Sequence, residues 1–321
     1  MCKEKLALLI LLFTVVSCST IKKAATSQMG EMIFESSDAV LVENDWNLFE
    51  ETISGNIKVL ETLYATDRSN VDFIVTLIKG YTGKAFAIDE TYYLKDQLQE
   101  KMNSVHRSRA LSNYTRALSY SALFFKERDF ENFDFTKYIS SPDEFYKLLE
   151  DKLSDSASDV EGVFYTAQAL ASIINLQRDN MRTVAYLPLA KVMYDWSCEK
   201  NPKLGYGACD IFSASYVASR PRGLGGNPME GKALFEKAIA KWPDNMMVRL
   251  AFIQFYAVPM YEKNVYLNQK LEIEKYTREN LESKYWSGGK LEAPEINYNN
   301  LFNLIANKRL EIIESLEKEI F

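Results

Sequence analysis

The chain has 321 residues, with 47% apolar and 26% charged residues, a formal charge of -6, one histidine and four cysteines. That balance fits a globular protein and excludes disordered, collagen-like and polytopic membrane chains. The acidic total argues against nucleic acid as a partner, because counterion release needs a basic surface. A single histidine leaves little room for imidazole catalysis or a multi-histidine metal site.

Residues 1–17 read as an export signal. Lys3 and Lys5 precede the apolar run Leu6 to Val16, which is too short to cross a bilayer as a helix. The run ends in Val15-Val16-Ser17-Cys18, the form of a bacterial lipobox. Cleavage before Cys18 and acylation there would leave a periplasm-facing, membrane-anchored lipoprotein. Ser19 leans toward sorting to the outer membrane. Residues 18–40 are expected to be a lipid-anchored tether, in which Lys22 and Lys23 either face anionic headgroups or begin a solvated helix.

Residues 41–321 carry helical periodicity almost throughout and are read as one domain. Helices are expected over Ile57 to Tyr64, Val71 to Phe86, Arg107 to Lys126, Ser141 to Leu153, Val163 to Leu176, Leu187 to Glu199 and Gly207 to Ser219. Asn227 to Trp242 is the clearest, and Pro243-Asp244-Asn245 stops it before a helix from Met246 to Tyr256. Helix, Pro-Asp-Asn, helix is the junction of tetratricopeptide-type repeats. The last helix, Asn300 to Ile320, has an apolar stripe opposite Lys308, Glu311, Glu314 and Lys318, as a closing element would. Loops are expected over Ser36 to Asn44, Asp129 to Tyr138, Ser154 to Asp159, Arg220 to Asn227 and Ser287 to Asn297. No sustained period-two alternation suggests a sheet. The expected fold is therefore all-α: a tetratricopeptide-like α-solenoid, open or closed around a pore.

Cys198 and Cys209 flank the turn from Glu199 to Gly207. In an exported protein they either form a disulfide, given α-carbons within about 7 Å, or stay as two buried thiols. Arg220 and Arg222 offer forked donors to a carboxylate, and Gly225 and Gly226 permit close backbone approach. That loop either binds a ligand or acidic partner, or pairs with carboxylates of neighbouring helices and turns the chain. Among the helical tyrosines Tyr64, Tyr81, Tyr120, Tyr165, Tyr216 and Tyr256, some can line a channel; packing is the other reading. Glu50-Glu51 and Asp210 read as solvated faces rather than acid/base groups. No phosphate loop, dinucleotide fingerprint, metal-spaced Cys/His set or nucleophile elbow is present, so no cofactor, metal or catalytic residue is assigned and no enzymatic activity is expected.

The segment Arg220-Pro221-Arg222-Gly223-Leu224-Gly225-Gly226-Asn227, followed by Gly231-Lys232-Ala233-Leu234-Phe235-Glu236-Lys237-Ala238, resembles the T component of TRAP-type solute systems (TatT). Its signature loop reads Arg-Pro-Arg-Ser-Leu-Gly-Gly, so Gly223 stands where serine is usual. Ile21-Lys22-Lys23, Leu60-Glu61-Thr62-Leu63, Gly80-Tyr81, Ala257-Val258-Pro259 and Ala293-Pro294-Glu295 agree in order. The resemblance implies a lipid-anchored helical protein, a homotrimer with a pore through each subunit. It also implies a periplasmic TRAP-type substrate-binding protein as partner and a small acidic or hydrophobic organic ligand. The alternative expectation is a repeat scaffold for envelope assembly with no small-molecule ligand.

Overall fold

The computed structural model describes residues 18–101, 103–131, 133–220, 222–281 and 296–321, with the side chains of 18–22, 224 and 281 left aside. The export signal and most of the expected Ser287 to Asn297 loop lie outside those residues. Every regular element among the described residues is a helix.

Helix α1 runs over Cys18–Glu35, followed by a 3-10 segment Ser37–Val42 and α2 over Trp46–Tyr64. Helix α3, Val71–Lys84, continues through a π-helical segment Ala85–Asp89 into α4, Glu90–Leu98. Then come α5 (Val105–Glu127), α6 (Pro142–Lys152), α7 (Ala157–Leu176), α8 (Met181–Val184) and α9 (Leu187–Lys200). Helices α10 (Ala208–Ser219) and α11 (Pro228–Lys241) precede α12 (Met246–Phe252), which runs into a second π-helical segment, Ile253–Ala257. Helix α13 (Lys263–Tyr276) is followed by α14 (Asn300–Ser315) and α15 (Glu317–Ile320). No helix among the described residues is long and apolar enough to cross a membrane.

Local chemistry explains six of the starts. Asp45, Asn70, Ser104, Ser156, Asn227 and Asn245 each accept a hydrogen bond from a backbone N–H of the first turn that they cap, which satisfies a donor that the helix itself leaves unpaired. Helix α2 begins at Trp46, well before the expected Ile57. Asp45 Oδ1 accepts from Asn47 N at 2.9 Å and Leu48 N at 3.1 Å, and Trp46, Phe49, Ile53, Ile57 and Leu60 then recur at steps of three and four along one stripe. The chain is helical from Cys18 to Glu35, and Gly30 and Phe34 are buried against the body. At Gly30 a Cβ would lie 2.6 Å from the Asn70 side chain, so only glycine allows that approach.

Several expected loops contain short 3-10 helices: Ser37–Val42, Phe135–Tyr138 and Arg222–Leu224. The terminal helix breaks at Leu316, and residues 263–276, for which no element was expected, form α13.

Helix α3 sits at the centre of the first half, packed against α1, α2, α5 and α7. It is buried on nearly every side, including Phe73, Ile74, Leu77 and Ile78 at 0% exposure. This all-round apolar character is what a helix enclosed by four others requires. Helices α10 and α11 approach closely because Gly231 has no side chain; a Cβ there would stand 2.5 Å from the Ala218 Cβ.

The last long helix does not merely cover one end of a stack. It packs against the 3-10 segment near the N-terminus, α4, α12 and α13. Its buried face includes two polar residues, Asn303 at 0% and Arg309 at 4% exposure. Asn303 Oδ1 accepts from Met246 N at 2.7 Å, and its Nδ2 donates to Asp244 O at 3.0 Å. One side chain thus satisfies the start of α12 from a different helix.

Replacing Asn303 with alanine strands a buried amide and a carbonyl, so Asn303→Ala should cost about 2–4 kcal/mol. Asn303→Asp should cost at least as much, because it buries a charge and sets a second oxygen against the Asp244 carbonyl. Urea denaturation compares the two; equal midpoints for both variants and the parent would show that this contact contributes nothing.

Candidate functional site

A mostly apolar cavity of about 990 Å³ lies inside the helical body. Its wall draws on α1, the 3-10 segment after it, α2, α3, α7, α9, α10, α12 and α14. Apolar groups dominate, from Ile33 and Leu60 through Phe164 and Phe212 to Phe255 and Leu301. A volume of this size suits a small organic molecule held chiefly by desolvation, with few polar contacts to orient it.

Polar groups reach the wall at separate places. The first is Lys79, almost enclosed beneath the 3-10 segment. Its Nζ donates to Asp38, to Ser37 Oγ at 2.9 Å and to Glu161 Oε2 at 3.0 Å. Burial lowers the Lys79 ammonium, but Tyr165, Glu161 and Asp38 more than offset it, so its value is raised and the charge is held. Burial pushes Glu161 up, and Lys79 opposes that push. With two carboxylates beside it, Lys79 is a fastener between α3, α7 and residues 37–38 rather than an anion receptor.

The second is Glu90, the first residue after the π-helical segment. Its Oε1 accepts from Tyr114 OH at 2.6 Å, and its Oε2 lies 3.7 Å from Arg309 NH2. Arg309 also donates through Nε to Thr91 Oγ1 at 3.0 Å and through NH2 to the Phe86 carbonyl, and its guanidinium lies over the Phe86 ring. Burial pushes the Glu90 carboxyl up and the Arg309 guanidinium down; each partner only partly offsets the other's shift. Both directions say that enclosing this pair costs more than its long 3.7 Å contact returns. The π-helical segment matters here because its extra residue changes which side chains face inward.

The third is the arginine loop. Arg220 borders the cavity, whereas Arg222 is exposed and does not line it. The two guanidinium groups therefore do not meet at the cavity. Arg220 Nε donates to Tyr216 O at 3.0 Å, NH1 to Tyr216 OH at 3.1 Å and NH2 to Gly225 O at 3.0 Å, with the guanidinium 3.8 Å above the Tyr216 ring. Both glycines have structural reasons. Gly225 has φ +84°, a left-handed angle that side chains disfavour. At Gly226 a Cβ would fall 1.8 Å from the Arg220 carbonyl oxygen. Nearby, the buried Ser215 Oγ in the cavity wall has no hydrogen-bond partner among the described residues.

Other sequence candidates fall elsewhere. The structure joins Cys198 and Cys209 in a disulfide with α-carbons 5.9 Å apart, linking α9 to α10 beside the cavity. The Cys18 side chain lies outside the described part. Of the six tyrosines, Tyr165 and Tyr216 line the cavity. Tyr81 and Tyr120 stack at 5.9 Å, and Tyr256 packs on Phe252. Glu50 accepts from Trp46 Nε1 and Tyr92 OH, and Asp210 accepts from Lys241 and Trp242. Sequence reading missed Lys79, Glu90 and Arg309. A charged residue on the apolar face of an amphipathic helix, as Arg309 is on α14, was the available signal.

The description of TRAP transporter T-components matches residues 42–283. The chain belongs to that family. The match spans the arginine loop and most elements of the cavity wall, while α14 and its Arg309 lie beyond it. No individual curated protein matches this sequence. As a T component, the protein is a transport-associated one.

The Glu90 carboxyl binds its proton more readily folded than its ordinary value of 4.5 allows. Its burial cost is therefore absent below that value and grows as pH rises through the folded one. Arg309→Met leaves Glu90 without its cation. It should destabilise the T component by about 3–5 kcal/mol at pH 8 and by less at pH 5, where Glu90 can be neutral. Urea denaturation at both pH values measures this, and an equal or larger loss at pH 5 would contradict the assignment.

Proposed function

We propose that this T component is a non-enzymatic lipoprotein, anchored through acylated Cys18 to the periplasmic face of the outer membrane. It takes up a small organic ligand in its apolar cavity. A periplasmic TRAP-type substrate-binding protein is its partner and exchanges ligand with it. The reading that the family resemblance implies, a tetratricopeptide-like body assembling as a homotrimer with a pore through each subunit, belongs to the same proposal.

The carrying observation is the 990 Å³ cavity in a chain of a transport-associated family. A ligand body would be held by desolvation against residues such as Phe164, Phe212 and Phe255. Ser215 offers a hydroxyl unpaired among the described residues, and Arg220 brings a charge to the wall of the same cavity. Those two groups suit an acidic or polar end on an otherwise apolar molecule. The grip needs no bond making, because burying apolar area and placing one polar end suffice for reversible capture.

Gly83 gives a direct test. It lines the cavity from within α3, and a Cβ there meets nothing within 4 Å. Gly83→Trp has open space at its Cβ and should place an indole in the cavity, and losing a mid-helix glycine favours folding by roughly 0.5 kcal/mol. Native mass spectrometry of the purified lipoprotein should show a small organic adduct, reduced about tenfold in Gly83→Trp while the melting temperature holds. Crosslinking in cells should recover an exported substrate-binding protein with the parent chain. A parent chain without adduct, or equal adduct in Gly83→Trp, would remove the ligand role; a crosslinked set lacking any such binding protein would remove the partner.

A further inference from the structure

A second cavity, of about 400 Å³, lies across the wall formed by Ile53, the end of α3 and the π-helical segment. Ile53 borders both cavities, and neighbours along the chain face opposite ones: Gly83 and Lys84, Ala87 and Ile88, Glu90 and Asp89. Where the large cavity is apolar, this one is polar and charged.

Its cations are Lys84 from α3 and Arg109 and Arg116 from α5. Arg109, Ser112, Asn113 and Arg116 recur at spacings of three, four and seven, so α5 presents them on one face. None of the three cations is ion-paired among the described residues. The two carboxylates of the cavity take their hydrogen bonds from uncharged donors, while Lys84 and Arg109 also steady Asp89 through space. Glu50 Oε2 accepts from Trp46 Nε1 at 3.0 Å and Tyr92 OH at 2.9 Å, and Asp89 Oδ2 accepts from Asn113 Nδ2 at 2.6 Å. Arg116 is steered by Tyr81, whose OH accepts from its NH1 at 3.2 Å.

Three cations against two carboxylates leave one positive charge in this cavity, in a protein whose formal charge is -6. Two guanidinium groups on one helix face are suited to forked contacts with an oxyanion, and a walled cleft concentrates their field. The excess of one charge matches a monoanion such as a phosphodiester. Glu50 Oε1 and Asp89 Oδ1 have no hydrogen-bond partner among the described residues, so both can accept from hydroxyl groups of the same molecule. The volume holds a compact headgroup and leaves no room for a long apolar tail.

We propose that this cavity binds a phosphodiester bearing a polyol arm. Arg109, Arg116 and Lys84 hold the phosphate, and Glu50 and Asp89 accept from the hydroxyls. Such a group occurs as a glycerophosphoglycerol lipid headgroup and as its free deacylated form. The site is separate from the apolar cavity and does not depend on the ligand-relay reading.

Isothermal titration of the acylated full chain in neutral detergent tests this, with glycerophosphoglycerol and with dihexanoylphosphatidylglycerol as probes. Saturable binding is expected for at least one. A preference for the acylated probe assigns a lipid headgroup, and a preference for the free one assigns a soluble metabolite. Arg109→Gln/Arg116→Gln should weaken binding at least tenfold, whereas Arg109→Lys/Arg116→Lys should retain part of it. Both arginines are exposed, so the melting temperature should stay at the parent value and Gly83→Trp should bind these probes as the parent does. Absence of saturable binding to both probes, or equal affinity in the Gln double variant and the parent, would overturn the proposal.

Discussion

The guanidinium of Arg309 is the contact on which the arrangement of the two chain halves turns. It comes from the last long helix and reaches Glu90, Thr91 and the Phe86 carbonyl, which are more than two hundred residues earlier. A charge this enclosed is tolerable only when its donors are occupied and its counter-charge is near. Thr91, the Phe86 carbonyl and Glu90 meet that condition only if α14 lies against α4 and the π-helical segment. The long separation to Glu90 means that the pair specifies placement more than it adds stability. Asn303, one and a half turns away on the same helix, repeats the logic with neutral groups by capping α12.

The wall between the two cavities is thin in sequence terms. Around the π-helical segment, consecutive residues face different spaces, and the acidic pair Asp89-Glu90 divides between them. Both carboxyls are pushed up by burial, and both are steadied by adjacent residues of α5, Asn113 and Tyr114. The π-helical segment shifts the register of the residues after it relative to α3, which sets the wall that each of these two side chains meets. The local departure from i→i+4 hydrogen bonding is thus part of how one helix serves two chemically different cavities. On the opposite flank, Lys79 ties α3 to α7 and to the 3-10 segment, so the central helix is held by charge as well as by apolar contact.

The helical elements were largely legible in the chain. Asn227 before Pro228, Asn245 after Pro243 and Ser156 before Ala157 act through short-range side-chain-to-backbone contacts, which a linear pattern records directly. The beginning of α2 was legible too, in Asp45 and in Trp46, Phe49, Ile53, Ile57 and Leu60 at steps of three and four, although the expected helix began only at Ile57; that Trp46 and Phe49 pack with Leu94 and with residues of α14 was not legible. The arginine loop was legible as a family mark, but its geometry was not. Arg220 turns onto Tyr216 and borders the apolar cavity while Arg222 points to solvent, and no rule of adjacency separates two arginines one residue apart.

By itself the sequence determined the all-helical class, the main helix boundaries and membership of the T-component family, since capping, proline placement and a conspicuous loop are local properties. Only the tertiary structure decided where the cavities lie, which tyrosines face them, and that Lys79, Glu90 and Arg309 are enclosed. Enclosure depends on which distant helix supplies the opposing surface, and the energy of a charge depends on everything around it rather than on its neighbours in the chain.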